Sequence, residues 1–169
     1  QLTAQDMGVR IKGPSTGTAF LNRNNFSAGS YAFEFQSGAK DVVLDHLSIT
    51  GAYYGVYAGS TADSDGLTIS NSTIYGNSQA GVYQETSSDN WTLLNNTLYG
   101  IPGVVNQTYG VYLTGSNHTL SGNTIHDSSY GIRSSGGGGQ IITGNTVYSN
   151  YSSGIYLGSN GSGSVVSGN

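Results

Sequence analysis

The chain has 169 residues, a net charge of −4 and only 8% charged residues, against roughly 25% in ordinary soluble domains. So sparse a charge makes no basic surface for nucleic acid or an anionic membrane, and neither partner is expected. With no cysteine there is no disulfide framework and no thiolate metal site, and no apolar run approaches the roughly 18–20 residues of a membrane span.

Taken in chain order, one short pattern returns. It is faint at Ala19 to Phe26 and Val42 to Ile49, and then clear in Leu67-Thr-Ile-Ser-Asn-Ser-Thr-Ile74 and Trp91-Thr-Leu-Leu-Asn-Asn-Thr-Leu98. It closes with His118-Thr-Leu-Ser-Gly-Asn-Thr-Ile125 and Gln140-Ile-Ile-Thr-Gly-Asn-Thr-Val147. The last apolar position of each copy is Phe26, Ile49, Ile74, Leu98, Ile125 and Val147, at spacings of 23, 25, 24, 27 and 22 residues. A second signature, a small residue followed by an apolar one, sits at Gly8-Val9, Ala32-Phe33, Gly55-Val56, Gly81-Val82, Gly110-Val111, Gly131-Ile132 and Gly154-Ile155. Inside these segments apolar residues alternate with period two, which predicts short strands with one inward face. Turn residues separate them. A unit of this size built from short strands buries its apolar face only by stacking on the next unit.

The apolar-x-apolar-x-Gly-Asn-x-apolar pattern with its following Gly-apolar-x-apolar resembles the parallel β-helix repeats of the pectin-lyase-like superfamily. It is most similar to the carbohydrate-associated and periplasmic NosD-type repeats. The resemblance covers essentially the whole chain and implies an all-β fold, a right-handed single-stranded parallel β-helix (β-solenoid). About seven coils of roughly 24 residues are expected. It says little about activity.

One column of the repeat carries Asn24, Leu47, Ser72, Asn96, Asn123, Asn145 and Asn169. Asn side chains stacked from coil to coil can form a hydrogen-bonded ladder, and Asn tolerates the left-handed turn conformation. Two rows of tyrosines point outward, Tyr57, Tyr83, Tyr112 and Tyr156 in one and Tyr75, Tyr99 and Tyr148 in the other, with His126 among the latter. Such rows stack on one another, contact a neighbouring fibre, or offer a platform to sugars. At the ends, Ser164-Val-Val-Ser-Gly-Asn169 reads as the start of a repeat and Gln1-Leu2 as its continuation. Joined, they align with His118 onward, and Gln1, Leu2, Val166 and Asn169 become candidates for end-to-end stacking. The chain, opening on Gln1, reads as a mature or excised single unit, uncapped at both ends and starting and ending in mid-coil. Its partner is then itself, head to tail as subunits or as tandem repeats of a longer chain.

Candidate chemistry is sparse. Asp41, Asp65 and Asp89 fall at similar phases just before the first strand of successive coils and form a weak Ca²⁺ candidate; otherwise no cofactor is expected. Arg10-Ile11-Lys12 matches a polygalacturonase tripeptide, but the Asn-Thr-Asp, Asp-Asp and Gly-His-Gly elements of that family are missing. Arg133 aligns with Arg10 in the second signature, as a surface position. His46, His118 and His126 lie in different columns with no metal-ligand spacing. Gly136 to Gly139 lacks the Lys-Ser/Thr of a phosphate loop. Asn-x-Ser/Thr sequons begin at Asn25, Asn71, Asn90, Asn95, Asn106, Asn117, Asn150 and Asn160, so covalent glycans are expected on a surface that has little charge. Gly100 to Thr108 is the longest insertion and the expected protruding loop. The function that follows is a non-catalytic structural module of an extracellular or cell-surface filament, sheath or layer, of microbial origin. The alternative is a fragment of a polysaccharide-degrading or carbohydrate-binding β-helix protein, an adhesin or tailspike.

Overall fold

The computed structural model describes residues 1–85, 88–104, 106–158 and 161–169. After a 3₁₀ turn at Ala4–Asp6, the chain winds through coils of three short strands each. The first coil is β1 (Arg10–Lys12), β2 (Ala19–Asn22) and β3 (Tyr31–Phe35), and the second is β4 (Val43–Asp45), β5 (Leu47–Thr50) and β6 (Tyr54–Ala58). The third coil is β7 (Thr68–Ser70), β8 (Thr73–Tyr75) and β9 (Ala80–Gln84); the fourth is β10 (Thr92–Leu94), β11 (Thr97–Tyr99) and β12 (Tyr109–Leu113). The fifth coil is β13 (Thr119–Ser121), β14 (Thr124–His126) and β15 (Tyr130–Ser134). The sixth is β16 (Ile141–Thr143), β17 (Thr146–Tyr148) and β18 (Ser153–Leu157), and β19 (Val165–Ser167) follows it. Each strand pairs in parallel with its equivalent one coil on, giving one seven-stranded and two six-stranded sheets. The fold is the all-β parallel solenoid expected, with six complete coils and the first strand of another rather than seven.

The core is three apolar columns facing one another inside the coil. The first sheet contributes Leu44, Ile69, Leu93, Leu120 and Ile142, the second Ile49, Ile74, Leu98 and Ile125, and the third Val56, Val82, Val111 and Ile132, all at most 1% exposed. Trp91, fully buried, donates its indole N–H to the Ser64 carbonyl at 2.6 Å. The small residue of the second signature has a steric cause. A Cβ on Gly55, Gly81, Gly110 or Gly131 would stand only 2.5–2.8 Å from the carbonyl oxygen of the equivalent glycine one coil on. Glycine allows the backbones to approach there.

Corners pose a different problem, because a bending chain cannot pair every N–H with the coil above. A side chain of the next coil supplies the acceptor. Between the first and second sheets, Leu47 N–H donates to Ser72 Oγ at 3.1 Å and Ser72 N–H to Asn96 Oδ1 at 3.0 Å. Asn96 N–H then donates to Asn123, Asn123 to Asn145 and Asn145 to Asn169, at 2.9, 2.9 and 3.0 Å. The Nδ2 groups complete the ladder by donating to the next Asn Oδ1 and back to the carbonyls of Ile69, Leu93 and Leu120. The other two corners repeat the device. One runs through Ala52, Asn77 and Gln107, and further on from Ser128 to Asn150; the other runs through Trp91, His118, Gln140 and Ser164.

Several expectations from the sequence change at the first coil. Leu21, not Phe26, pairs with Ile49, and Ala19 pairs with Leu47. Asn24 therefore lies outside the ladder: its own φ of 48° and the Asn22 side chain capping its N–H turn the chain away before exposed Phe26. Arg10–Lys12 pairs with Val43–Asp45 in the first sheet, so Gly8-Val9 is no copy of the second signature and Arg10 does not share a column with Arg133. Leu2 bridges to Phe35 in the third sheet, buried beneath it, whereas Asn169 ends in the corner between first and second sheets. The gapless alignment of tail to head fails, because a second-sheet and most of a third-sheet strand separate those two phases. Of the proposed stacking residues, Gln1 donates to Glu34 at 2.7 Å and Val166 pairs with Ile142 within the same solenoid. The left-handed turn role also moves by one residue. It belongs to His46, Asn71, Asn95 and Gly122, at φ 49–66°, each just before the ladder position.

Asn123→Ala removes the acceptor of the buried Asn96 N–H and is expected to cost about 2–4 kcal/mol in urea unfolding. Asn95→Gly, at a turn φ that glycine adopts freely, is expected to change stability by about 0.5 kcal/mol or less.

Candidate functional site

The outward face of the third sheet is an aromatic strip. Register sets Tyr57, Tyr83, Tyr112, Arg133 and Tyr156 in one column and Tyr31, Tyr54, Tyr109 and Tyr130 in another, two residues away. The rings interleave: Tyr31–Tyr57 and Tyr83–Tyr112 both stack at 4.5 Å and Tyr54–Tyr57 at 4.9 Å, with interplanar angles of 8–15°. The Arg133 guanidinium lies over Tyr130 and Tyr156 at 5.0 and 5.1 Å. On the second sheet Tyr75, Tyr99, His126 and Tyr148 stack in sequence at 5.1, 4.9 and 4.8 Å. Burial among these rings, with Tyr112 and Glu85 nearby, pushes the Tyr83 phenol up to about 12, so that ring carries no charge near neutral pH. Because the ring faces are turned on one another, the rows show solvent mainly edges and hydroxyls. That geometry favours coil-to-coil cohesion over a flat sugar platform.

The acidic column is out of step. Asp41 takes the left-handed corner position, φ 56°, in register with Gly66, while Lys40 is the residue in line with Asp65 and Asp89. Lys40 Nζ reaches Asp65 at 2.9 Å and Asp63 at 3.0 Å, so an ammonium stands where a Ca²⁺ ion would need a carboxylate. Burial pushes the Asp65 carboxyl up, but the hydrogen bonds from Lys40 and the Asp89 N–H outweigh it and hold the group below its usual range. Asp89 in turn accepts the Ser116 N–H at 2.6 Å. These carboxylates are committed to an ion pair and to backbone. Among the described residues no group of three or more His, Cys, Asp or Glu is placed to hold a metal ion. Asp45, 3.8 Å from the exposed Lys12, accepts from Asn71, Ser70 and His46, and those bonds lower its pKa to about 2.

The expected protruding loop borders a concave surface. Coil four spends residues 100–108 between its second and third strands, where coil five spends only 127–129 and coil six 149–152. Lined from coils four, five and six, a cleft of about 490 Å³ runs along the solenoid beside the shorter corners. Pro102, Asn106 and Gln107 form one wall; Asp127, Ser128, Ser129 and Ser149 form the floor, with Tyr151 at the edge. Asp127 Oδ2 meets His126 Nδ1 at 2.7 Å, which ties the floor to the second aromatic row. Tyr151 is 93% exposed. Composition and spacing pointed to the loop, but not to the floor, whose residues lie some 20 and 45 positions further on and meet it only through coil stacking.

The sequons divide by environment. Asn71, Asn90, Asn95, Asn106 and Asn117 are exposed, and Asn25 is half-buried. Asn71, Asn90, Asn95 and Asn117 occupy left-handed corner positions. Asn150 instead spends its Nδ2 on the Ile125 and Tyr148 carbonyls and its Oδ1 on the Ser128 N–H. Asn160 lies outside the described residues.

A polar ladder around a stacked-coil core defines a β-solenoid. Residues 54–169 match the family described as right handed beta helix region; this is most of the chain, which therefore belongs to the right-handed β-helix family. No curated protein and no solved structure gives a significant match. Among the described residues no helix is long and apolar enough to cross a membrane.

One buried titratable group sits in a corner ladder. His118 Nδ1 accepts the Trp91 N–H at 3.0 Å, which places the ring proton on Nε2, an atom with no hydrogen-bond partner of its own. Burial pushes its pKa down from 6.5 to about 4, against the opposing pull of Asp89 and Asp65. The unfolded chain takes up this proton first, so the contribution is whole above pH 6.5 and is lost as pH falls towards 4. Urea unfolding is expected to show a loss of up to about 3 kcal/mol across that window. His118→Gln, which keeps an acceptor for Trp91, is expected to flatten it.

Proposed function

We propose that the chain is a non-catalytic structural module of an extracellular or cell-surface fibre, sheath or layer. The observation that carries this reading is the continuity of the side-chain ladders. Many of the Asn, Gln, His, Asp and Tyr side chains, types that elsewhere build active sites, are here engaged in bonding one coil to the next. Such a solenoid is stiff along its axis and, without cysteine, depends on no disulfide. Its partner in this reading is a further length of β-helix. Kinship with the pectin-lyase-like and NosD-type repeats belongs to the same proposal.

Glycans complete it. Asn90 and Asn117 stand in register on adjacent coils, as do Asn71 and Asn95, and their exposed left-handed corners present the side chains outward. Sugars there would solvate a surface carrying few charges.

Immunogold labelling of producing cells with antibody to this chain is expected to decorate a continuous extracellular structure. Labelling confined to the cytoplasm would reject the structural reading. Peptide mass spectrometry of the native protein is expected to find glycan at Asn90, Asn95 or Asn117 and none at Asn150, whose amide the corner ladder already uses.

A further inference from the structure

In the cleft beside residues 100–108, Gln107 and Ser128 are rungs of a corner ladder, but the other lining residues belong to none. Its floor and rim hold hydrogen-bonding groups that the fold leaves unused. Among the described residues, Asn106 makes no side-chain hydrogen bond, Asp127 has one oxygen on His126 and no partner for the other, and the hydroxyls of Ser129 and Ser149 have no protein partner. Tyr151, alone among the aromatic residues around this corner, stacks on no other ring and keeps both faces exposed. Elsewhere on this molecule outward tyrosines cover one another's faces, so an uncovered ring beside unused polar groups is a local departure.

From these groups we infer that the cleft binds a neutral oligosaccharide. The face of a pyranose ring presents C–H bonds, polarised positive, that meet the negative face of an aromatic ring. Its rim presents hydroxyls, each able to donate and accept, which suit an amide, a carboxylate oxygen and serine hydroxyls. The volume, about 490 Å³, lies within the ordinary range of ligand clefts. Charge chooses within the class. None of the five Lys and Arg residues, Arg10, Lys12, Arg23, Lys40 and Arg133, lines the cleft, and Asp127 supplies a negative charge. A uronate or a sulfated or phosphorylated sugar would be repelled with no cation to receive it. The axis of the cleft follows the solenoid, so a chain of sugars would lie along the coils with Tyr151 under one ring.

This inference is independent of the structural role, since a shaft can carry or lack a binding cleft. Asn106 heads a sequon, so the test uses the full chain from a host without N-glycosylation. Saturation-transfer NMR and calorimetry would be run with neutral hexasaccharides of β-1,4-glucan, α-1,4-glucan, β-1,4-mannan and β-1,4-xylan, and with hexagalacturonate. At least one neutral hexasaccharide is expected to bind, with hexagalacturonate at least tenfold weaker. Tyr151→Ala and Asn106→Ala are each expected to weaken that binding about tenfold or more, while Tyr156→Ala, outside the cleft, leaves it unchanged. Unaltered thermal unfolding of the Tyr151 variant, whose ring is exposed, separates loss of the site from loss of the fold. Binding to none of the neutral probes, tighter binding of hexagalacturonate, or affinity that survives Tyr151→Ala would each overturn the proposal.

Discussion

The structure depends on finding an acceptor for every backbone N–H at a corner. Along a strand the next coil supplies a carbonyl automatically, but at a bend the two chains are no longer in ladder geometry. A buried N–H left unpaired costs free energy comparable to a lost hydrogen bond. Here the acceptor is a side chain borrowed from the following coil, and the sense of borrowing is the same at all three corners. Ser, Asn, Gln and His serve interchangeably because each offers an oxygen or nitrogen lone pair at a suitable reach. Where the rung is apolar, as at Leu47, it still donates its N–H to the next one.

The same economy shapes the exterior. With so few charges to place, the outward positions of two sheets hold stacked aromatic rings, and these add cohesion between coils beyond the backbone pairing. Stacking also consumes the faces that would otherwise attract ligands. The acidic residues behave alike: Asp65 and Asp89 accept backbone N–H groups of the following coil, and Lys40 pairs with Asp65. Residues 100–108 break the regular outline, and the resulting step is the concavity where polar groups are left without protein partners.

The repeat was legible because stacking imposes its own periodicity. The apolar column Ile49, Ile74, Leu98, Ile125 and Val147 could be read directly from residue order, and so could the Asn rungs at 96, 123, 145 and 169. The outward tyrosine columns were also visible, since alternation along a strand fixes which residues share a face. The first coil was misread for a physical reason. Its turns are longer, and without the Gly-Asn pair the alternation at Ala19 to Phe26 admits more than one register. Packing of Leu21 against Ile49 selects one of them. The other two polar ladders were hidden because their rungs change type from coil to coil, Trp91 to His118 to Gln140 and Asn77 to Gln107, so no single residue marks the column.

Sequence by itself determined the parallel coil, the inward and outward faces and the scarcity of ionic chemistry, because each is a local consequence of period-two alternation and composition. Only the tertiary structure decided which residue answers which across a coil. It moved Leu2 into the third sheet, put Lys40 in line with Asp65 and Asp89, and turned the tyrosine faces on one another. Those outcomes depend on loop lengths that shift phase by a residue or more. A shift of one residue exchanges every neighbour along the axis.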